Sequence, residues 1–187
     1  DEVNKRIVKA STAFGRLRPS VWERRGISTT TKLKVYKAMV LTILLYGSET
    51  WTVYSRHARK MNRFHLTSLR KILNIRWLDK IPDTRVLVRA NMPSIHTLLQ
   101  KNQVRWAGHV HRMSDARIPK QLLYGKLASG QRAAGGQRKR FKDSLKASLK
   151  SMNIDWENWE SLAFNRTSWR TIIAAGSIIS EESRIQS

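Results

Sequence analysis

The chain of 187 residues contains no cysteine. Disulfide frameworks, thiolate zinc sites and cysteine nucleophiles are thereby excluded. Proline is scarce, at positions 19, 82, 93 and 119 only, each where a helix should start or stop. No apolar run reaches the roughly 18–20 residues that a membrane span needs. The longest, Ala38 to Tyr46, is interrupted by Thr42 and ends at Gly47. No signal-peptide layout opens the sequence, which begins at Asp1 rather than Met. An intracellular location, nuclear or cytoplasmic, is the expectation.

Catalytic signatures are equally sparse. There is no phosphate-cradling glycine motif and no Ser/His/Asp order with supporting context. Two-metal phosphoryl transfer needs clustered carboxylates, and no pair of acids stands in a suitable apolar setting. Asp79 and Asp83 flank Pro82, where helix capping is the simpler role. His109 and His111 have neither cysteine nor a well-spaced carboxylate to complete a metal site. His109 is expected to satisfy a partner inside the fold, and Gly108 to permit close helix packing. Neither a metal, a cofactor nor a small-molecule substrate is expected for this fragment, and no catalysis by the chain alone.

What is present is positive charge. Lys and Arg number 36 against 13 acids, a net +23 with a pI near 11.3. Such a field makes polyanions the default partner. The basic part is the body: residues 155–187 hold five acids (Asp155, Glu157, Glu160, Glu181, Glu182) against Arg166, Arg170 and Arg184. From Ala116 to Ile154 the one acid is Asp143.

Apolar residues recur at helical spacing nearly throughout, with no sustained strand alternation, so an all-α fold is expected. Val3, Ile7, Ala10 and Phe14 give a first helix from about Glu2, with a loop at Arg16 to Pro19. A Ser/Thr cluster at 28–31 offers N-caps to a second, whose stripe is Leu33, Tyr36, Val40, Ile43 and Leu44 and which ends at Gly47. The third runs from near Ser55 to Leu73. Its apolar side holds Met61, Phe64, Leu66, Leu69, Ile72 and Leu73. A short helix follows over Asp83 to Met92, then a longer one from Pro93–Ser94 to Met113. On that one Ile95, Leu98, Leu99, Asn102, Trp106, His109, Val110 and Met113 follow the 3–4 rule, with Arg105 and Arg112 on a different face. Residues 125–137 are Gly-rich and read as a linker. Helices are expected again over Arg138 to Met152 and over Trp156 to Asn165, with another following Ser168 and fraying from Ser177 onward.

Helices that pair an oily side with a basic side suit phosphate binding, in which each cation neutralises one charge and releases a counterion. The candidate contacts are Arg16, Arg18, Arg56, Arg59, Arg63, Arg105, Arg112, Arg138, Lys139 and Arg140. The last three belong to the densest cluster, Gln137 to Lys142, which opens a helix where backbone N–H groups add to an anion site. It also has the form of a nuclear localisation signal, a weak pattern in a basic protein. Most of the seven tryptophans are better explained as core, Trp106, Trp156 and Trp159 among them. Trp51 and Trp77, at helix ends beside basic segments, are the candidates for stacking on bases.

Several blocks carry a family resemblance. They are KRIVKASTAFGRL (Lys5 to Leu17), LKVYKAMVLTILLYGSETW (Leu33 to Trp51), FHLTSLRKILNIRW (Phe64 to Trp77), VRWAGHVHRM (Val104 to Met113), GQRAAGGQRKRFKDSLKASLK (Gly130 to Lys150) and WENWESLAFNRTSW (Trp156 to Trp169). Together they resemble the region following the palm in non-LTR (LINE-type) retrotransposon reverse transcriptases, particularly the RTE/BovB-like groups. The palm motif Tyr-x-Asp-Asp, the fingers, the endonuclease and the Cys-rich zinc knuckle of some relatives are absent. Asn165 stands where the family has Asp. The resemblance implies part of an RNA-directed DNA polymerase, with upstream palm and fingers as partners. Its role would be to hold the template–primer RNA–DNA hybrid, element RNA or duplex target DNA through Lys and Arg.

The expected organisation is a thumb-like helical bundle over 1–80 and a second helical unit over 81–124. A linker over 125–137, a basic, aromatic C-terminal helical segment over 138–176 and a frayed tail over 177–187 follow. The rival reading is a sequence-specific helix-turn-helix, with Thr84 to Met92, a turn at Pro93 and Ser94 onward. A third is a relic of a decayed element with no selected role.

Overall fold

A computed structural model describes residues 2–125 and 140–186, and every regular element among them is helical. Ten α-helices follow in order. They are α1 (Glu2–Arg16), α2 (Thr29–Val35), α3 (Thr42–Leu45), α4 (Ser55–Ile72) and α5 (Asp83–Ala90). Then come α6 (Ile95–His111), α7 (Ile118–Tyr124), α8 (Phe141–Ser151), α9 (Trp159–Phe164) and α10 (Arg166–Gln186). None is long and apolar enough to cross a membrane. The Gly-rich segment from residue 126, and Arg138 and Lys139, lie outside the described residues.

The chain forms two compact units, residues 1–47 with 54–96 and residues 48–53 with 97–187. The divisions drawn from sequence at 80 and 124 fall elsewhere, because α5 packs on α4 and Asp83 pairs with Arg70 at 2.8 Å.

In the first unit the expected stripes are largely buried, with Ile7, Leu33, Ile43, Phe64 and Leu73 half-buried. Val3, Ala10 and Phe14 of α1 are buried, as are Tyr36, Val40 and Leu44, and Met61, Leu66, Leu69 and Ile72 of α4, with α1 packed on each of these segments. The Ser28 hydroxyl caps α2 by accepting from the Thr31 N–H at 3.2 Å, and Gly47 takes a positive φ of 75° after α3. Between α2 and α3, residues Tyr36–Leu41 form a π-helical turn. A second such turn, Arg18–Trp22, replaces the loop expected there. It brings Trp22 onto Phe14, ring centroids 4.9 Å apart, with the indole N–H donating to the Phe14 carbonyl at 2.8 Å. Lys32 is drawn inside because its ammonium donates to the Trp22 carbonyl at 2.7 Å. The Tyr36 hydroxyl lies 2.9 Å from His65 Nδ1, joining π-turn and α4 through the core, and burial pushes the phenol well above its ordinary pKa.

The core of the second unit is built from Val104, Ala107 and Val110 of α6, Leu145 and Leu149 of α8, Trp159 and Ala163 of α9, and Trp169 and Ile173 of α10. Trp156 packs against it half-buried. Two expectations are corrected here. The tail from Ser177 is not frayed: α10 continues to Gln186 because Ser177 and Ser180 are buried, Ser180 donates to Gln100 at 2.8 Å and Thr97 donates to Glu181 at 2.5 Å. The buried face of α6 is Leu99, Gln103, Val104, Ala107 and Val110, which leaves His109 exposed instead of satisfied inside. Gly108 does serve close packing: a Cβ there would stand 2.6 Å from Trp169 Cδ1.

Candidate nucleic-acid interface

Helix α4 places Arg56, Arg59, Lys60 and Arg63 within about 100° of arc at 3.6 residues per turn. The opposite side carries its buried apolar residues. All four cations are exposed or at the surface, and none has a carboxylate partner among the described residues. Asn4 of α1 accepts from Lys60 Nζ at 3.4 Å, and Lys71 Nζ stands 6.0 Å from the Phe14 ring, so α1 and α4 run parallel. Between them lies an open groove of about 380 Å³ lined by Asn4, Ile7, Lys60, Arg63, Phe64 and Thr67. The charge of this surface registers on His57. Burial first, then Arg56 and Lys60, lower its pKa below the ordinary histidine value.

Arg16 is exposed at the end of α1, whereas Arg18 is engaged by Glu23 at 2.6 Å and is the less available phosphate contact. Trp77, the stacking candidate of this unit, is 87% exposed, beside Leu78 at 73%. It sits between Arg76 and Lys80 on a 3-10 turn fixed by Asp79, whose carboxylate accepts from the Arg76 N–H at 2.7 Å. An exposed indole on a pinned turn between two cations is what a sequence-tolerant base platform requires.

The second unit presents a cleft of about 500 Å³. One wall is a face of α6: Asn102, Arg105, Trp106, His109 and Arg112 at three- and four-residue spacing. The other is the start of α10, with Arg166, Trp169 and Arg170. Glu49 closes a side from the segment 48–53, which is held to α6 by Asn102 donating to Ser48 Oγ at 3.0 Å and Gln103 donating to the Trp51 carbonyl at 2.7 Å. Trp51 itself is half-buried. Trp106 is also half-buried, edge-on to Phe141 with centroids 5.2 Å apart. The Arg112 guanidinium donates to the Ala163 carbonyl. Burial, then the charges of Arg166 and Arg170, lower its pKa.

The cleft thus brings Arg105 and Arg112 together with Arg166 and Arg170, which were not among the candidate contacts. The missed signal was the pattern Arg166, Trp169, Arg170 at the opening of a helix. Asn165 caps that helix, its Oδ1 accepting from the Thr167 and Ser168 N–H groups at 3.0 and 3.1 Å, so it serves the capping role as an Asp would. Arg140 is exposed at the start of α8, and its own backbone N–H is engaged. Asp143 accepts from the Arg140 N–H at 2.9 Å and sets a negative charge on that helix end. Among the described residues no three His, Asp or Glu side chains gather as metal ligands.

No family model matches the chain, and no solved structure matches it. A transposon-derived protein of Caenorhabditis elegans is 25% identical over 151 residues, covering 76% of this chain and 53% of that protein. The chain spans about half the length of this curated relative. The similarity supports a transposon-related origin, and the described fold is all-helical.

Proposed function

We propose that the chain is the nucleic-acid-binding, post-palm part of a non-LTR retrotransposon reverse transcriptase, in which it holds an RNA–DNA hybrid, element RNA or duplex target DNA. The observation that carries this reading is the cationic side of α4: Arg56, Arg59, Lys60 and Arg63 face away from the core with no acid interleaved among them. Such a stripe is about 10 Å long at 1.5 Å per residue, a few successive phosphates at about 3.4 Å per strand, and reads backbone rather than sequence. The sequence blocks that resemble this family support the same assignment, and the transposon-derived relative supports the transposon-related origin it requires.

The helix-turn-helix alternative loses ground on one point. A recognition helix offers its first turns to base edges. Here Thr97 and Gln100, in the first turns of α6, are taken by Glu181 and Ser180 of α10.

Titration of hybrid, duplex DNA and single strands at two salt concentrations tests the proposal. Neutralising about 6–10 phosphates weakens binding about 10³–10⁵-fold between 50 and 200 mM salt. Salt-independent affinity, or a preference of about 10³ for one duplex sequence, would overturn it.

A further inference from the structure

We propose that the arginine cleft of the second unit holds the terminal phosphomonoester of a nucleic-acid strand, together with the nucleotide that carries it. This rests on reading the chain as a nucleic-acid binder, and it assigns the cleft a task that the α4 stripe cannot perform.

Charge is the first argument. Four guanidinium groups, Arg105, Arg112, Arg166 and Arg170, line the cleft against the single carboxylate of Glu49, a formal +3 from four minus one. A phosphodiester inside a strand supplies one negative charge. A terminal phosphomonoester carries about −1.5 to −2 near neutral pH, so with its neighbouring diester it nearly cancels the cleft. Arginine is also the side chain whose planar fork matches phosphate oxygens two at a time.

Shape is the second. A volume of about 500 Å³ falls among pockets that take one small ligand. A duplex displays its phosphates on a convex surface and contacts a stripe. The end of a strand can enter a concavity.

The third is the wall. Trp106 is held edge-on by Phe141, and His109, one turn along the same helix, is exposed. Together they offer an aromatic surface beside the arginines for the base of the terminal nucleotide. Arg112 is already oriented by its bond to the Ala163 carbonyl, so little ordering is left for binding. Burial, then repulsion from Arg166 and Arg170, lower its pKa, and an anion in the cleft offsets the repulsive part.

Calorimetric titration of the full chain with unlabelled trinucleotides tests this, using 5′-phosphorylated, 3′-phosphorylated and unphosphorylated forms. At least one phosphorylated trimer should bind about tenfold or more tightly than the unphosphorylated one, since charge-assisted contacts exceed neutral ones by that order; which one does so identifies the strand end. The double variant Arg166→Gln, Arg170→Gln should melt like the parent and lose the preference. Should it fail to fold, Arg105→Gln, an exposed position on α6, takes its place. Equal binding of the three trimers, or a preference that survives these substitutions, overturns the proposal. If a long duplex still binds in a salt-dependent way, the cleft assignment alone falls. If the duplex also fails to bind, the nucleic-acid reading falls with it.

Discussion

The indole of Trp169 packs against the backbone of Gly108, close enough that a methyl group there would stand 2.6 Å from its Cδ1. Trp169 is 1% exposed and lines the arginine cleft. Substituting Gly108→Ala therefore overpacks the second unit at a rigid, large side chain. A loss of about 1–3 kcal/mol is expected, read as a fall of roughly 2–4 °C in melting temperature per kcal/mol. An unchanged melting curve would show that α6 and α10 separate easily, and the cleft would then be looser than described.

The α4 stripe makes a quantitative claim. Each lysine or arginine on a phosphate adds about 0.9 to the slope of log K against log salt. Arg59→Gln with Arg63→Gln should lower that slope by about 2 and weaken hybrid and duplex alike, without changing preference among sequences. Anisotropy titrations at several salt concentrations provide the slope. A sequence-dependent loss would place these arginines on base edges instead.

Trp77 separates stacking from folding. It is 87% exposed on its pinned turn, so Trp77→Ala should change stability by less than about 0.5 kcal/mol. Affinity for single-stranded RNA or DNA should fall by about 1–3 kcal/mol if the ring stacks on a base. Chemical denaturation and single-strand binding, measured on the same variant, give the two numbers.

His57 reports on the same surface through pH. Its pKa is lowered in the folded chain by burial and by Arg56 and Lys60. Between that value and the ordinary one near 6.5, the unfolded chain binds more protons than the folded one. The contribution to stability is thus complete above pH 6.5 and lost as pH falls through the folded value. Imidazole resonances in an NMR titration should show His57 titrating below about 6.5. Adding a polyanion should move it upward as Arg56 and Lys60 are neutralised. A pKa indifferent to the polyanion would place binding away from α4.

Much of this was legible in the chain itself. Tyr36, Leu69 and Phe14 lie on strong 3–4 stripes, Ser28 and Gly47 punctuate in the usual way, and each appears where patterning puts it. α6 was misread because Asn102 and His109 share the spacing of its apolar residues, and periodicity alone does not say which side of a helix a partner covers. The short helix Ile118–Tyr124 was passed over because seven residues that include Pro119 hold too little pattern. The cleft was invisible for another reason. Arg105 and Arg112 stand some 60 residues before Arg166 and Arg170, and the packing of α6 on α10, with Trp169 against Gly108, brings them together.

The crowding of Arg112, Arg166 and Arg170 sets two responses to electrolyte in opposition. Mobile anions shield like charges from one another, so the repulsion among these guanidinium groups falls as ionic strength rises. Those same anions compete with nucleic acid for the guanidinium groups. Ionic strength therefore acts on these three side chains in two senses at once, easing their mutual repulsion and thinning the attraction they exert on any polyanion.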